Sequence, residues 1–382
     1  MKKLLITSTD MMMIQFLVPH VKYLSENGFH VELACSEVGA RMDDVRNALG
    51  DVAKAIHTVR LERSPANPRN FLGYRDMRRL LAENQYDIIW TNEPVMGVVT
   101  RLAARDLRKS GTRVVYMCHG FHFFKGASLL NWLVFYPIER FMSRFCDCIV
   151  TINHEDEARA KTFHCPRVEY IHGIGIDTKR LTCQTSRSQM RQSLGLTDQD
   201  IMILSVGELQ TRKNHEVILR ALAKLDAAQV KYFICGRGVL QEHLQDLARE
   251  LNITDKVLFL GYRLDIPDIM NAADIYAHPS RREGLGLACL EAMYFGLPLV
   301  TSNVQGIPDY NENGVTGFLC APDDVDAFSD HMLMLIHDES LRYRIGRANQ
   351  QNVDKFTLKQ VQPDILNIMS EYILDNKEYV HE

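Results

Sequence analysis

The stretch 280-SRREGLGLACLEAMYFGLPLV-300 carries two glutamates, Glu283 and Glu291, with glycines at 284, 286 and 296. An apolar run, 275-IYAHPS-280, leads into it, and 298-PLVTS-302 closes it. Together they read as a strand ending near His278, a turn holding Glu283 and Gly284, a helix from about Leu287 and a second strand. That is one βαβ unit of a parallel sheet. Were the whole stretch one helix, the eight steps from Glu283 to Glu291 would turn about 80° and rise about 12 Å. The two carboxylates therefore cannot share one proton or one metal ion, but they can hold two ends of something long.

The same alternation extends in both directions. Before this stretch the strand candidates are 4-LLITS, 31-VELAC, 55-AIHTV, 87-DIIWT, 113-RVVYMC, 147-DCIVTI and 168-VEYIHG, then 201-IMILSVG, 231-KYFICG and 257-VLFLG; after it comes 317-GFLCA. Amphipathic segments such as 14-IQFLVPHVKYLSENG and 214-NHEVILRALAKL lie between them. The strands are apolar throughout, as in parallel sheets covered by helices on both faces. A polar segment, 177-DTKRLTCQTSRSQMRQS-193, interrupts the pattern and reads as an inter-domain connection. The expected organisation is a first doubly wound domain over 1–176 and a second over 177–356. A C-terminal helix at about 357–382 is expected to pack back on the first. In open α/β sheets ligands bind at the carboxyl ends of the strands, so a cleft between the domains is the expected site.

Composition narrows the function classes. The chain has 382 residues, 46% of them hydrophobic and 24% charged, as in a globular protein with an ample core. A net charge of −4 gives no basic footprint for nucleic acid. Nine scattered cysteines form no CxxC pair, and Cys146 and Cys148 read as core thiols of a cytoplasmic protein. The N-terminal apolar run stops at Thr7 and reads as a first strand rather than a leader. No apolar stretch is long enough to span a bilayer.

Several constellations could carry chemistry. Backbone amides from Gly284 through Leu285 and Gly286 to Leu287 sit at a helix start, which suits a phosphate. Glu291 could accept both hydroxyls of a ribose while Glu283 faces a sugar; the alternative is a surface acid and a helix-face acid, and spacing alone leaves both open. In 205-SVGELQTRKNH-215, Gly207 permits a tight turn, and Arg212 and Lys213 precede a helix. Cations there oppose the helix dipole, which an anionic ligand would explain, although a solvated basic turn is the commoner case. His119, in 117-MCHGFHFFKGA-127, places an imidazole beside a glycine at a strand end. His119 and His122 lack a visible third ligand, so no metal site is expected. The turn Gly261 to Arg263 could hold a nucleobase, or could simply be capped by Asp265. The loop 301–319 reads mainly as a connection. Asp198/Asp200 and Asp324/Asp326 match DxD but read as exposed caps, and 154-HEDE-157 reads as a charged first helical turn behind Asn153. The aromatic and basic run 129-LLNWLVFYPIERFMSRF-145 suits either an interfacial helix or ordinary packing.

The run 279-PSRREGLGLACLEAMYFGLPLVTSNVQGIPDYNENGVTGFL-319 resembles the signature of retaining glycosyltransferases of family four. The entry 205-SVGELQTRKNH and the segment 172-HGIGIDTKRL are similar as well. In the first half, 119-HGFHFFKGASLLNWLVFYPIERF-141 and 150-VTINHED-156 resemble the branch that builds capsular, exopolysaccharide or O-antigen units. The resemblance implies the GT-B class: α/β, two doubly wound Rossmann-like domains facing a cleft. It places Glu283 near the donor sugar, Glu291 at the ribose, Lys213 at the diphosphate and His119 at the rim of the donor site. It also implies transfer without a metal or other cofactor, from a UDP-sugar to a lipid-linked oligosaccharide. Competing readings are a catalytically silent sugar-nucleotide-binding partner and a sugar-nucleotide epimerase of the same fold. Two departures stand out: Glu208 where many members have arginine, and bulky 7-TSTDMMMIQF-16 where a glycine pair is usual.

Overall fold

The computed structural model describes residues 1–37, 42–50, 52–225, 227 and 229–374. The chain divides into two compact units, one of Met1–Gly175 with the C-terminal segment from Leu358, the other of Ile176–Thr357. The first unit runs β1 (Lys2–Asp10), α1 (Met11–Glu26), β2 (Phe29–Ser36), α2 (Met42–Leu49), β3 (Ala55–Thr58), α3 (Asn70–Glu83) and β4 (Ile88–Asn92). It continues through α4 (Pro94–Ala104), β5 (Arg113–Cys118), α5 (Leu129–Met142), β6 (Cys148–Thr151), α6 (His154–Ala160) and β7 (Val168–Tyr170). The second unit opens with α7 (Arg187–Ser193), β8 (Ile201–Val206), α8 (His215–Lys224), β9 (Val230–Cys235), α9 (Gln241–Glu250), β10 (Val257–Gly261) and α10 (Ile266–Ala272). It closes with β11 (Ile275–His278), α11 (Leu287–Tyr294), β12 (Leu299–Ser302), β13 (Gly317–Cys320), α12 (Val325–His337) and α13 (Glu339–Asn352). Helix α14 (Leu358–Leu374) follows.

Every apolar run identified in the sequence is a strand. The sheets are parallel throughout, ordered β3-β2-β1-β4-β5-β6-β7 and β10-β9-β8-β11-β12-β13. Consecutive residues such as Leu4, Leu5 and Ile6 in β1, and Met202, Ile203 and Leu204 in β8, are wholly buried. Both faces of each sheet are thus covered, which explains the absence of polar alternation. Strand order reverses between β1 and β4 in the first unit and between β8 and β11 in the second. These are the two switch points, where the flanking loops diverge and leave a crevice.

The polar segment 177–193 is folded into the second unit. Asp177 starts a 3-10 turn over Thr178–Leu181, and α7 begins in a capping box between Ser186 and Gln189. Arg187 and Arg191 of α7 both pair with Asp274 at the entrance of β11. Helix α14 packs on α1, where Gln362 Nε2 donates to the Pro19 carbonyl at 3.0 Å. Of the helix expected at about 357–382, residues 375–382 lie outside the described residues.

The aromatic run on α5 divides between two faces. Trp132, Phe135 and Tyr136 pack inward against a core cluster that includes Phe121, Phe123 and Phe163. Their rings meet Phe123 at centroid distances of 5.6 Å for Trp132 and 5.4 Å for Tyr136. Those three aromatics are therefore ordinary packing residues, one of the two readings the sequence allowed. Phe141 alone of the helical aromatics faces out, with Phe145 edge-on to it at 5.5 Å.

Candidate active site

In the second unit the loops after β8 and β11 flank the switch point, and Gly207, Arg212, Lys213, Glu283 and Gly284 lie on them. After β8 the chain turns through Gly207 and a 3-10 turn, Thr211–Lys213, before α8. A side chain at Gly207 would come within 3.3 Å of Lys213 Cε, so the glycine leaves room for the lysine's stem. The two loops are joined by backbone: Arg281 N donates to the Arg212 carbonyl at 2.8 Å. Asn214, at φ +54°, links its amide to the Pro322 carbonyl and accepts from Arg281.

Glu283 is the electrostatic centre of this arrangement. Its Oε2 accepts from Lys213 Nζ at 2.6 Å, Ser280 Oγ at 3.3 Å and Arg212 at 3.3 Å, and lies 3.2 Å from His278 Nε2. Oε1 has no partner among the described residues. Burial alone would raise this carboxyl, but Lys213, His278 and Arg212 outweigh it and hold Glu283 well below the usual carboxylate range. It is therefore ionised at neutral pH. His278 is buried, and burial with the nearby Lys213 ammonium depresses its pKa despite Glu283. The imidazole is neutral and serves as a hydrogen-bond partner. Two cations facing one carboxylate leave a net positive charge. The Arg282 guanidinium adds to it, destabilised first by burial and then by Arg212.

The turn between Glu283 and α11 is held by its own geometry. Gly286 caps α11 at φ +90°, a left-handed conformation suited to glycine. A side chain there would meet Glu283 Cγ and Tyr310 Oη at 3.1 Å. Tyr310 Oη donates to the Leu285 carbonyl at 2.7 Å and fixes the turn from the opposite loop. The first amides of α11 have no intrahelical acceptor and carry the positive end of the helix dipole. Within the helix, Glu291 is half-buried, and its carboxyl has no hydrogen-bond or ion-pair partner among the described residues. Burial raises it to about 7, with Arg180 pulling weakly the other way. A poorly paired carboxyl in such a place can accept two hydroxyls.

His119 lies in the first unit, at the carboxyl end of β5. Its Nε2 sits 2.9 Å from Asn92 Oδ1, while Asn92 Nδ2 donates to the Thr7 carbonyl. A carbonyl can only accept, so Asn92 must turn its oxygen to the histidine. His119 then carries its proton on Nε2 and leaves Nδ1 as an acceptor. Burial, reinforced by His20, lowers His119 to about 4, so it is uncharged at neutral pH. It is a neutral hydrogen-bonding group. The loop carrying it is anchored by Asp156, whose Oδ2 accepts from Phe121 N at 3.1 Å and from Asn153 Nδ2 at 2.8 Å. The charged first turn of α6 forms behind Asn153 as expected, and within it Asp156 is a buried anchor.

The remaining sequence candidates separate clearly. Arg263 is locked to Asp265 in a bidentate pair and forms no hydrogen bond or ion pair with Lys213, Glu283 or Glu291 among the described residues. Glu208 is exposed and forms no ion pair among the described residues. Asp200 closes a turn onto Thr197, and Asp324 caps α12 through Ala327 N. His122 stacks on Phe135. No cluster of three or more metal-ligating side chains occurs among the described residues. Asn92, Asp156, His278, Ser280 and Tyr310 were missed. A histidine closing a strand directly before the Glu283 turn was the available signal for His278; Tyr310 had none, because its partner is remote in sequence.

Residues 186–352 match the family model described as glycosyl transferases group 1, and residues 17–180 that of glycosyltransferase family 4. The putative glycosyltransferase EpsD of Bacillus subtilis is 32% identical over 385 residues, covering 99% of each chain. An Escherichia coli protein is 27% identical over 344 residues, 88% of this chain and 87% of its own. That protein is named as the UDP-Gal:α-D-GlcNAc-diphosphoundecaprenol α-1,3-galactosyltransferase. Among solved structures, Anabaena HepE in complex with UDP and glucose superposes with a TM-score of 0.80 at 21% identity, over 97% of this chain and 100% of that one.

Proposed function

The chain belongs to the group 1, family 4 glycosyltransferases, and from that membership we propose a retaining, metal-independent transfer of a hexosyl or N-acetylhexosaminyl group from a UDP-sugar to a lipid-linked glycan. One observation carries the reading. At the switch point of the second sheet, Arg212 and Lys213 converge on Glu283 beside the start of α11, while the poorly paired Glu291 lies further along that helix. Those elements match the parts of a nucleotide diphosphate sugar. Glu291 accepts the ribose hydroxyls, the α11 amides and the cations hold the diphosphate, and Glu283 Oε1 faces the sugar. The UDP-linked donor and the lipid diphosphate acceptor are supported by the name of the E. coli relative and by the UDP bound to HepE. The resemblance of 119–141 and 150–156 to capsular, exopolysaccharide and O-antigen enzymes supports a role in surface polysaccharide assembly at the inner face of the plasma membrane.

In this reaction the bond between the anomeric carbon and the diphosphate oxygen breaks. The acceptor oxygen bonds to the same face of the sugar. The departing phosphate oxygen takes the acceptor's proton, so no separate base is needed. Lys213 and Arg212 stabilise the charge that develops on the leaving diphosphate, the role a cation would otherwise fill.

A panel of nucleotide sugars tests this, each incubated with the protein and a lipid-diphosphate-linked N-acetylglucosamine. UDP release coupled to a product that keeps the donor's anomeric configuration is expected. Binding without turnover for every donor would instead favour a silent binding partner, and an isomerised nucleotide sugar would favour an epimerase.

A further inference from the structure

Helix α5 leaves its apolar face uncovered. Leu129, Leu130 and Leu133 are 81%, 68% and 75% exposed, and Val134, Ile138 and Phe141 are 41%, 43% and 53% exposed. At about 100° per residue all six fall within half a turn. The opposite half carries Trp132, Phe135, Tyr136, Glu139 and Met142. The rotation of the helix is fixed from that inner side. Glu139 accepts from Arg101 of α4 at 2.8 Å and from the Tyr116 hydroxyl of β5 at 3.1 Å, and Arg101 lies over the Tyr116 ring at 4.0 Å. With the aromatic and acidic side locked inward, the aliphatic side must face out.

The charge on the outer side is of one sign. Glu139, the only acid of α5, is buried, and the exposed charges there are Arg140 and, just past the helix, Arg144. Arg144 stands over the Phe141 ring at 5.8 Å and joins a cleft lined by Arg105, Arg108, Lys109 and Arg113, with Asp106 and Asp147 its acids. Arg108 donates to the Arg144 carbonyl at 2.7 Å, so this basic cluster continues directly from the end of the apolar stripe.

Building on the lipid-linked acceptor proposed above, we infer that the outer face of α5 and the adjoining basic cluster form a docking surface for an anionic lipid bilayer. The helix is about 21 Å long at about 1.5 Å per residue, long enough to lie in the interface plane with its leucines among the acyl chains. The arginines and Lys109 then meet the lipid phosphates. A row of exposed leucines beside a cluster whose cations outnumber its acids suits such a surface better than it suits water.

The full chain is mixed with vesicles of phosphatidylcholine alone or with phosphatidylglycerol added, and the pelleted fraction is measured with rising salt. Salt-sensitive binding to the anionic vesicles is expected. Leu130→Asp with Leu133→Asp, both at exposed sites, should lower it at least tenfold, and Arg140→Gln with Arg144→Gln should flatten its salt dependence. Equal pelleting of wild type and the leucine variant, or pelleting of neither, would overturn the assignment. So would concentration-dependent self-association that the leucine substitutions abolish in place of vesicle binding. Transfer to a water-soluble acceptor is measured in parallel and should be unchanged in the leucine variant. If neither protein transfers sugar while vesicle binding behaves as expected, the reaction fails and the surface stands.

Discussion

Replacing Glu291 with glutamine should stabilise the protein and weaken nucleotide binding at the same time. Burial raises the Glu291 carboxyl from an ordinary 4.5 to about 7, with Arg180 the counteracting charge. At about 1.4 kcal/mol per pH unit, that displacement amounts to roughly 3 kcal/mol. The folded value lies above the unfolded one, so the group's contribution is fully present below about pH 4.5 and lost as pH rises through 7. Glutamine cannot ionise and escapes that loss. Glu291→Gln and wild type should therefore be equally stable at pH 4.5, with the variant gaining up to about 3 kcal/mol by pH 8. Urea unfolding without nucleotide at the two pH values reads this difference directly. Binding should move the other way. Hydrogen bonds to a charged group are worth about 1.5–3 kcal/mol, so losing the carboxylate should weaken UDP at least tenfold. A wild-type carboxyl titrating near 7 and ionised in the complex releases close to half a proton on binding at pH 7. UDP titrations in buffers of different ionisation enthalpy would show that release, and it should vanish in the variant. A variant less stable than wild type at pH 8, or one that binds UDP as tightly with the same proton release, would refute the placement of Glu291 at the ribose.

Lys213→Ala should cost about 3 kcal/mol by leaving Glu283 poorly compensated, and should reduce transfer at least about 100-fold. Adding Glu283→Ala should restore most of the stability and none of the activity, and a double-mutant cycle with both readouts checks this. Gly286→Ala should fold with its circular dichroism intact yet lose about 1–2 kcal/mol from the left-handed backbone. Its crowding of Glu283 should lower kcat roughly tenfold, so an unchanged kcat would count against a tightly fitted turn. Transfer should survive excess EDTA, and loss of activity restored by magnesium or manganese would weigh heavily against Lys213 and Arg212 as the diphosphate's counter-charges.

The strands were legible because burial on both faces writes itself as uninterrupted apolar runs such as 201-IMILSV, which need no tertiary information to find. Sheet order was not, since β8 pairs with β11 across some seventy residues, and only that pairing brings Lys213 beside Glu283. This also resolves the two cations standing ahead of α8 against its dipole. They lie in a 3-10 turn before the helix, and their anion in this structure is Glu283, so an incoming diphosphate must compete with or share an existing pair. Residues whose work is done at a distance stayed hidden for the same reason. Tyr310 holds the Leu285 carbonyl from a loop that reads as mere connection, and Asp156 sits inside a run of charges yet points into the protein. The inner and outer faces of α5 were recoverable from the helical period, but composition pooled them: the aromatics that drew attention are the buried half, and the leucines beside them are what the helix presents to its surroundings. At Glu208 the family pattern and the physics agree once exposure is known. A carboxylate near a diphosphate would be repelled if it pointed inward, and this one points to solvent, leaving Arg212, Lys213 and Arg282 as the positive field of the site.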